Sequence, residues 1–195
     1  MSKIAGVDYG SKLAGTSVIS YLQGEEVCFL QSAKKQDADA FLLNNIRVLG
    51  LDTIFLDAPL SLPGVYRNID PYNDFFYRAV DRLLQAMSPM FLGGLTARAM
   101  RLKQQLGAQE VTVIETYPAY LARRFKLADF RYKKQLVHLP ACSEYLIEQL
   151  ALPYRIATIN NWHQMDALLA FYSAWRYSKQ THESFGDAEE GQVMV

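Results

Sequence analysis

Three apolar runs in this chain close on an acid. Asp8 ends Ile4-Ala5-Gly6-Val7-Asp8, Asp57 ends Ile54-Phe55-Leu56-Asp57, and Glu115 ends Val111-Thr112-Val113-Ile114-Glu115. A fourth acid, Asp166, lies inside the apolar helix pattern Trp162-His163-Gln164-Met165-Asp166-Ala167-Leu168-Leu169. Ligands of open α/β sheets collect at the carboxyl ends of the strands. Acids gathered there repel one another, and a divalent cation is the simplest compensation. The placement therefore predicts a site for Mg2+ or Mn2+, and with it phosphoryl transfer around cations about 3.5–4 Å apart. Asp8 is expected to bridge the ions, with Asp57 and Asp166 as the flanking metal ligands. Glu115, one strand further out, reads either as a ligand or as an outer support.

Each acid also has a plainer reading. An acid that ends a strand is often a turn former or a helix cap. Asp166 resists that reading, because an acid among Met165, Leu168 and Leu169 needs a partner when buried. His163 precedes Asp166 by three residues and shares its helix face. It reads as a metal ligand, water-positioning group or proton shuttle, or as a helix-start histidine bonded to backbone. The joint occurrence carries the expectation of catalysis by Asp8, Asp57, Glu115, Asp166 and His163.

Basic groups suited to a phosphate-bearing substrate fall in several places. Arg124 and Lys126 lie in Arg123-Arg124-Phe125-Lys126, followed by Phe130 and Arg131-Tyr132-Lys133-Lys134. Cationic and aromatic side chains interleaved in this way suit a single strand with rings on its bases, and equally a solvated helix surface. Arg98, after Gly93-Gly94, is placed to meet a phosphate. Arg67, with Tyr66 and Tyr72, belongs to the proline-interrupted loop at 58–72, where specificity is expected. Arg78, Asp81 and Arg82 at helical spacing read as an ion-pair cluster.

The elements that must position these groups follow from periodicity. Strands are predicted at 3–9, 14–22 and 26–33, joined by Gln23-Gly24-Glu25 into an antiparallel three-stranded meander. A helix at 37–49 capped by Asp37 follows, then a strand at 53–57, helices at 73–87 and 95–107, a strand at 111–115, and helices at 118–126, 141–151 and 162–178. The tail from Gly186 to Val195 suggests a last short strand. With 195 residues, half of them hydrophobic, one domain over 1–195 is expected. Twenty basic and twenty acidic side chains balance to zero, which removes any global attraction to nucleic acid or anionic membrane but leaves room for a local basic groove. Cys28 and Cys142 read as free thiols. The N-terminal Met1-Ser2-Lys3-Ile4 shows no leader pattern and no apolar stretch is of membrane-spanning length, so a cytoplasmic protein without a membrane partner is expected. The oligomeric state is open.

Meander, helix, strand, helices, strand, helix is the element order of a ribonuclease H-like fold, an α/β mixed sheet flanked by helices. Gly6-Val7-Asp8-Tyr9-Gly10-Ser11-Lys12 with Gly15 resembles the first-strand motif of nucleases with that fold. The chain as a whole is similar to domain-of-unknown-function family 429, described as predicted nucleases. The pieces that carry the similarity are Leu56-Asp57-Ala58-Pro59-Leu60-Ser61-Leu62-Pro63, Arg78-Ala79-Val80-Asp81-Arg82, Glu115-Thr116-Tyr117-Pro118, His163-Gln164-Met165-Asp166-Ala167-Leu168 and Gly186-Asp187-Ala188-Glu189-Glu190-Gly191. The resemblance implies a metal-dependent nuclease or phosphodiesterase acting on DNA or RNA, with Asp8, Asp57 and Asp166 as catalytic acids and Glu115 in the same site. One departure stands out: the last helix carries a single acid where many resolvase-like relatives place two, which points to fewer ions or to His163 filling in. Two other readings stay open. Asp8-Tyr9-Gly10-Ser11 also resembles the phosphate loop of actin-like and sugar-kinase-like ATP binders, and a non-catalytic interaction module on the same fold is the third.

Overall fold

The computed structural model describes residues 3–195. Met1 and Ser2, part of the stretch read above for a leader, lie outside them. β1 (Ile4–Asp8) is buried from Ala5 onward and stands inside a six-stranded mixed sheet. On one side it pairs antiparallel with β2 (Val18–Gln23), which pairs antiparallel with β3 (Glu26–Gln31). On the other side β4 (Thr53–Asp57) runs parallel to β1, and β5 (Thr112–Glu115) parallel to β4. β6 (Arg155–Ile156) adds to β3, giving the order β5-β4-β1-β2-β3-β6. The meander and the parallel strands occur as expected. β6 has only two residues, too few to show a period in sequence.

Alternation sorts the strand residues between two layers of helix. Ala5, Val7, Ile54 and Leu56 join one core with Phe41, Leu42 and Ile46 of α1 (Ala38–Leu49) and with Ala99, Leu102 and Leu106 of α4 (Gly94–Gly107). α1 begins where the Asp37 side chain accepts from the Asp39 and Ala40 amides, and it ends at Gly50 with φ 62°. The opposite face is covered by α7 (Trp162–Ser178), packed with α5 (Pro118–Arg124) and α6 (Leu139–Leu150) in a second core.

Contact between α7 and β1 is unusually close. A Cβ on Gly6 would stand 2.0 Å from the Phe171 nitrogen and 2.6 Å from the Ala167 carbonyl oxygen. Only a glycine fits there. The helix meets it with Ala167, Ala170 and Ala174, spaced to share one face and fully buried. Small residues on both sides bring the helix backbone onto the strand, two residues before Asp8.

The segment from 58 to 92 departs from the expected long helix at 73–87. Asp74 accepts from the Phe76 and Tyr77 amides, which forms a turn there instead. α2 (Ala79–Leu84) starts only at Arg78, whose amide bonds the Asp81 carboxylate, and stops at Gln85 with φ 52°. Ser88 then caps the one-turn α3 (Pro89–Leu92), inside a segment expected to separate helices. The loop after β4 is anchored by the C-terminal hairpin of β7 (Ser184–Asp187) and β8 (Gly191–Met194). Glu190, buried in the hairpin turn, accepts from the Gly64 amide at 2.8 Å and the Ala79 amide at 2.6 Å, and Tyr72 bonds Asp187. Both cysteines are free, Cys142 buried and Cys28 partly so. No helix among the described residues is long and apolar enough to cross a membrane.

The Gly6 contact predicts a large penalty for one added methyl. Gly6→Ala should lower stability by about 3 kcal/mol or more in urea unfolding, because backbone on both elements must separate. An unchanged midpoint would mean the helix does not sit against the strand in this way.

Candidate active site

Register places the first two acids side by side. Asp8 and Asp57 are paired residues at the ends of neighbouring parallel strands, which lie about 4.8 Å apart. Both follow Gly6 and Phe55 by two residues, so both project to the face covered by α7. Asp166 reaches toward them from the second turn of that helix, which Asn161 caps by accepting from the Gln164 amide. Asp166 and Asp8 are buried.

The three carboxylates are engaged very unequally. Asp166 has both oxygens occupied: Oδ1 accepts from the Tyr132 hydroxyl, and Oδ2 meets the Lys133 ammonium at 2.5 Å. Asp8 offers Oδ2 to His163 Nδ1 at 2.8 Å, and its Oδ1 has no partner among the described residues. Asp57 has no hydrogen bond or ion pair to any described residue. Burial, then the charges of Asp8 and Asp166, push its pKa well above the ordinary carboxylate value. Burial likewise raises Asp166 to about 6, although Lys133 pulls the other way. The bond to Asp8 raises the pKa of His163 against the opposing effect of burial. Thus His163 contacts the cluster itself rather than backbone.

Glu115 shares a cavity with Asp8 and Asp57 and its charge adds to the rise of Asp57, but it enters from the other side of the pleat and is engaged differently. It pairs with Leu56, so its side chain lies on the face opposite Asp57. There Arg78 grips it with two bonds of 2.8 and 2.6 Å, and the Leu60 amide donates to it at 2.8 Å. The same guanidinium binds Asp81, which makes a buried acid–arginine–acid triad. Arg82, expected in that cluster, pairs with Asp74 instead and lies over the Tyr77 ring. Glu115 fixes the start of the 58–72 loop, and no oxygen is left free for an ion beside Asp57.

A cavity of about 380 Å³ opens on the cluster, lined by Asp8, Asp57, Tyr9, Pro59, Met87 and Lys133 among others. None of the four basic residues expected to hold substrate lines it. Arg98 pairs with Asp39 at 2.7 Å, donates to the Gly10 carbonyl and lies over the Tyr9 ring. Arg67 donates to the carbonyls of Glu189 and Glu190, holding the loop to the hairpin. Arg124 pairs with Glu183, and Lys126 is exposed on the surface.

The cations that do line the cavity are Arg78 and Lys133. Lys133 and Tyr132 were legible only as part of a basic-aromatic segment suited to a surface. Both reach Asp166, Tyr132 from a partly buried position and Lys133 with its side chain half exposed, and Phe130 stacks on Tyr145 at 4.0 Å. Left-handed backbone at Arg131 (φ 59°) and Lys133 (φ 57°) turns the segment toward Asp166. No sequence signal marks it, since neither residue is glycine or asparagine.

Among the described residues no group of three or more His, Cys, Asp or Glu side chains is arranged to hold a metal ion. Two carboxylates with oxygens unengaged among the described residues still fit one, because Mg2+ is commonly bound through one or two carboxylates, water and substrate phosphate. Searches of protein-family models, of curated proteins and of solved structures each found no match to this chain.

The charge imbalance predicts a pH dependence of stability in metal-free protein. Asp57 and Asp166 have folded pKa values above their unfolded ones. Their contribution is fully present below about pH 4 and is lost as pH rises through the folded values, with His163 acting in the same sense at slightly higher pH. Carboxylates depressed by partners, such as Asp39 and Glu183, lose their contribution only as pH falls below about 4. Thermal melting in a chelator should therefore give a higher Tm at pH 5 than at pH 7.5. Asp57→Asn should raise the value at pH 7.5 and narrow the gap. Equal melting at both pH values, or a less stable Asp57→Asn, would contradict the imbalance.

Proposed function

We propose that this chain is a divalent-cation-dependent nuclease or related phosphodiesterase on a ribonuclease H-like fold, hydrolysing phosphodiester bonds of DNA or RNA. The observation that carries the reading is the pairing of Asp8 with Asp57 at adjacent parallel strand ends, with oxygens unengaged, facing Asp166 from a helix packed at contact distance. The meander followed by parallel strands agrees with the fold assignment.

Asp8 and Asp57 would hold the cation, which when bound supplies Lewis-acid polarisation of a phosphoryl oxygen and acidification of a water. In hydrolysis the water oxygen bonds to phosphorus, the ester P–O bond breaks, and the departing oxygen takes a proton. His163 is the residue placed to handle that proton. Asp8 orients its ring through Nδ1, and in the cation-free protein that bond raises its pKa. Its exposed remainder is accessible to substrate. The Lys133 ammonium adds positive charge on the cavity wall, where a phosphate would enter.

The nucleotide-binding reading ranks lower for a specific reason. The Gly10 amide already donates to Ser17 Oγ at 3.0 Å, and the Gly10 carbonyl accepts from Arg98, so the turn after β1 is engaged internally.

Labelled single-stranded DNA, duplex DNA and RNA oligonucleotides, each incubated with Mg2+ or Mn2+, give the test. Cleavage of at least one class is expected, abolished by chelator. Asp57→Asn should reduce it at least about 100-fold with circular dichroism unchanged, and His163→Ala by about 100-fold. Cleavage that survives in Asp57→Asn would sink the mechanism.

A further inference from the structure

We infer that the site takes a single divalent cation, held by Asp8 and Asp57, and that the Lys133 ammonium seated on Asp166 is a built-in second positive centre in place of a second ion. This rests on the function proposed above and specifies how its site is charged.

Oxygen accounting comes first. A two-ion site needs Asp166 as a ligand, yet Tyr132 and Lys133 occupy one oxygen each. The oxygens with no partner among the described residues are Asp8 Oδ1 and both of Asp57, a donor set for one ion. Charge balance agrees. Three carboxylates face the Lys133 ammonium, the His163 ring and room for one divalent cation, whereas a second divalent ion would leave the cluster strongly positive around a lysine it repels.

The lysine is also held in place by more than its ion pair. Arg131 and Lys133 both adopt left-handed backbone, as does Lys126 at the start of the segment. Left-handed backbone is unfavourable for a residue with a Cβ, so surrounding contacts must hold it. Those contacts are present. The Tyr132 ring packs edge-on against Trp162 at 5.6 Å, the Tyr132 amide donates to the Leu127 carbonyl at 3.2 Å, and Phe130 stacks on Tyr145. A loop held this firmly keeps the half-exposed Lys133 ammonium directed at Asp166. Lys133 is thus a positioning and charge-compensating residue. Its consequence is that the last helix can work with a single acid.

Titration calorimetry with Mn2+ alone reads the stoichiometry directly. Wild type and Lys133→Arg should bind one Mn2+ per chain, and Asp57→Asn none. Lys133→Met, which frees an Asp166 oxygen, should bind two. Two ions in wild type would overturn the inference while leaving the functional proposal standing, and this reading does not depend on any variant folding. One ion in a folded Lys133→Met would also overturn it, because the lysine would then not be what excludes the second. No binding in any protein would remove the functional proposal and this inference together.

Discussion

Everything at the candidate site depends on how closely α7 lies on β1. Gly6 allows the helix backbone to reach the strand, and Ala167, Ala170 and Ala174 keep the helix side of the contact thin. That contact sets the height of Asp166 above the strand ends where Asp8 and Asp57 stand. A helix lifted by one side-chain diameter would weaken the interaction of the third carboxylate with the other two. Packing and electrostatics are therefore a single problem here. The apolar contact is what forces three acids into one neighbourhood.

The fold then treats its acids in two ways. On one face of the sheet Glu115 is fully neutralised, gripped by Arg78 in a buried triad that fixes the loop after β4. On the other face Asp8, Asp57 and Asp166 share Lys133 and His163, and Asp57 has no hydrogen-bond or ion-pair partner among the described residues. Breaking the first arrangement would strand buried charges at a cost of about 3–5 kcal/mol, as suits a structural brace. The second is deliberately short of positive charge, as suits a site completed by a ligand. The difference separates scaffold from chemistry more clearly than residue type does.

Much of this was legible in the sequence. Strand ends at Asp8 and Asp57 and the helix carrying His163 and Asp166 follow from the apolar patterns, and the parallel pairing of the two strands from the ribonuclease H-like element order. Glu115 looked equivalent because a sequence pattern shows where a strand ends, not which face its last side chain occupies. That depends on register, and β5 pairs Glu115 with Leu56 rather than with Asp57. The basic residues misled for a related reason. Arg98, Arg67 and Arg124 each found a local acid or carbonyl, partners contributed by distant elements and invisible to spacing. Lys133 escaped notice because left-handed backbone at non-glycine residues turned a surface-like segment inward.

The central claim is that Asp8 and Asp57 together hold a divalent cation. Crystals soaked in Mn2+ and measured at the manganese absorption edge test it most directly. The account predicts an anomalous peak between the Asp8 and Asp57 carboxylates, about 2.0–2.2 Å from their free oxygens, with Lys133 still on Asp166. A peak centred on Asp166 with Lys133 displaced, or no peak at the strand ends, would contradict it.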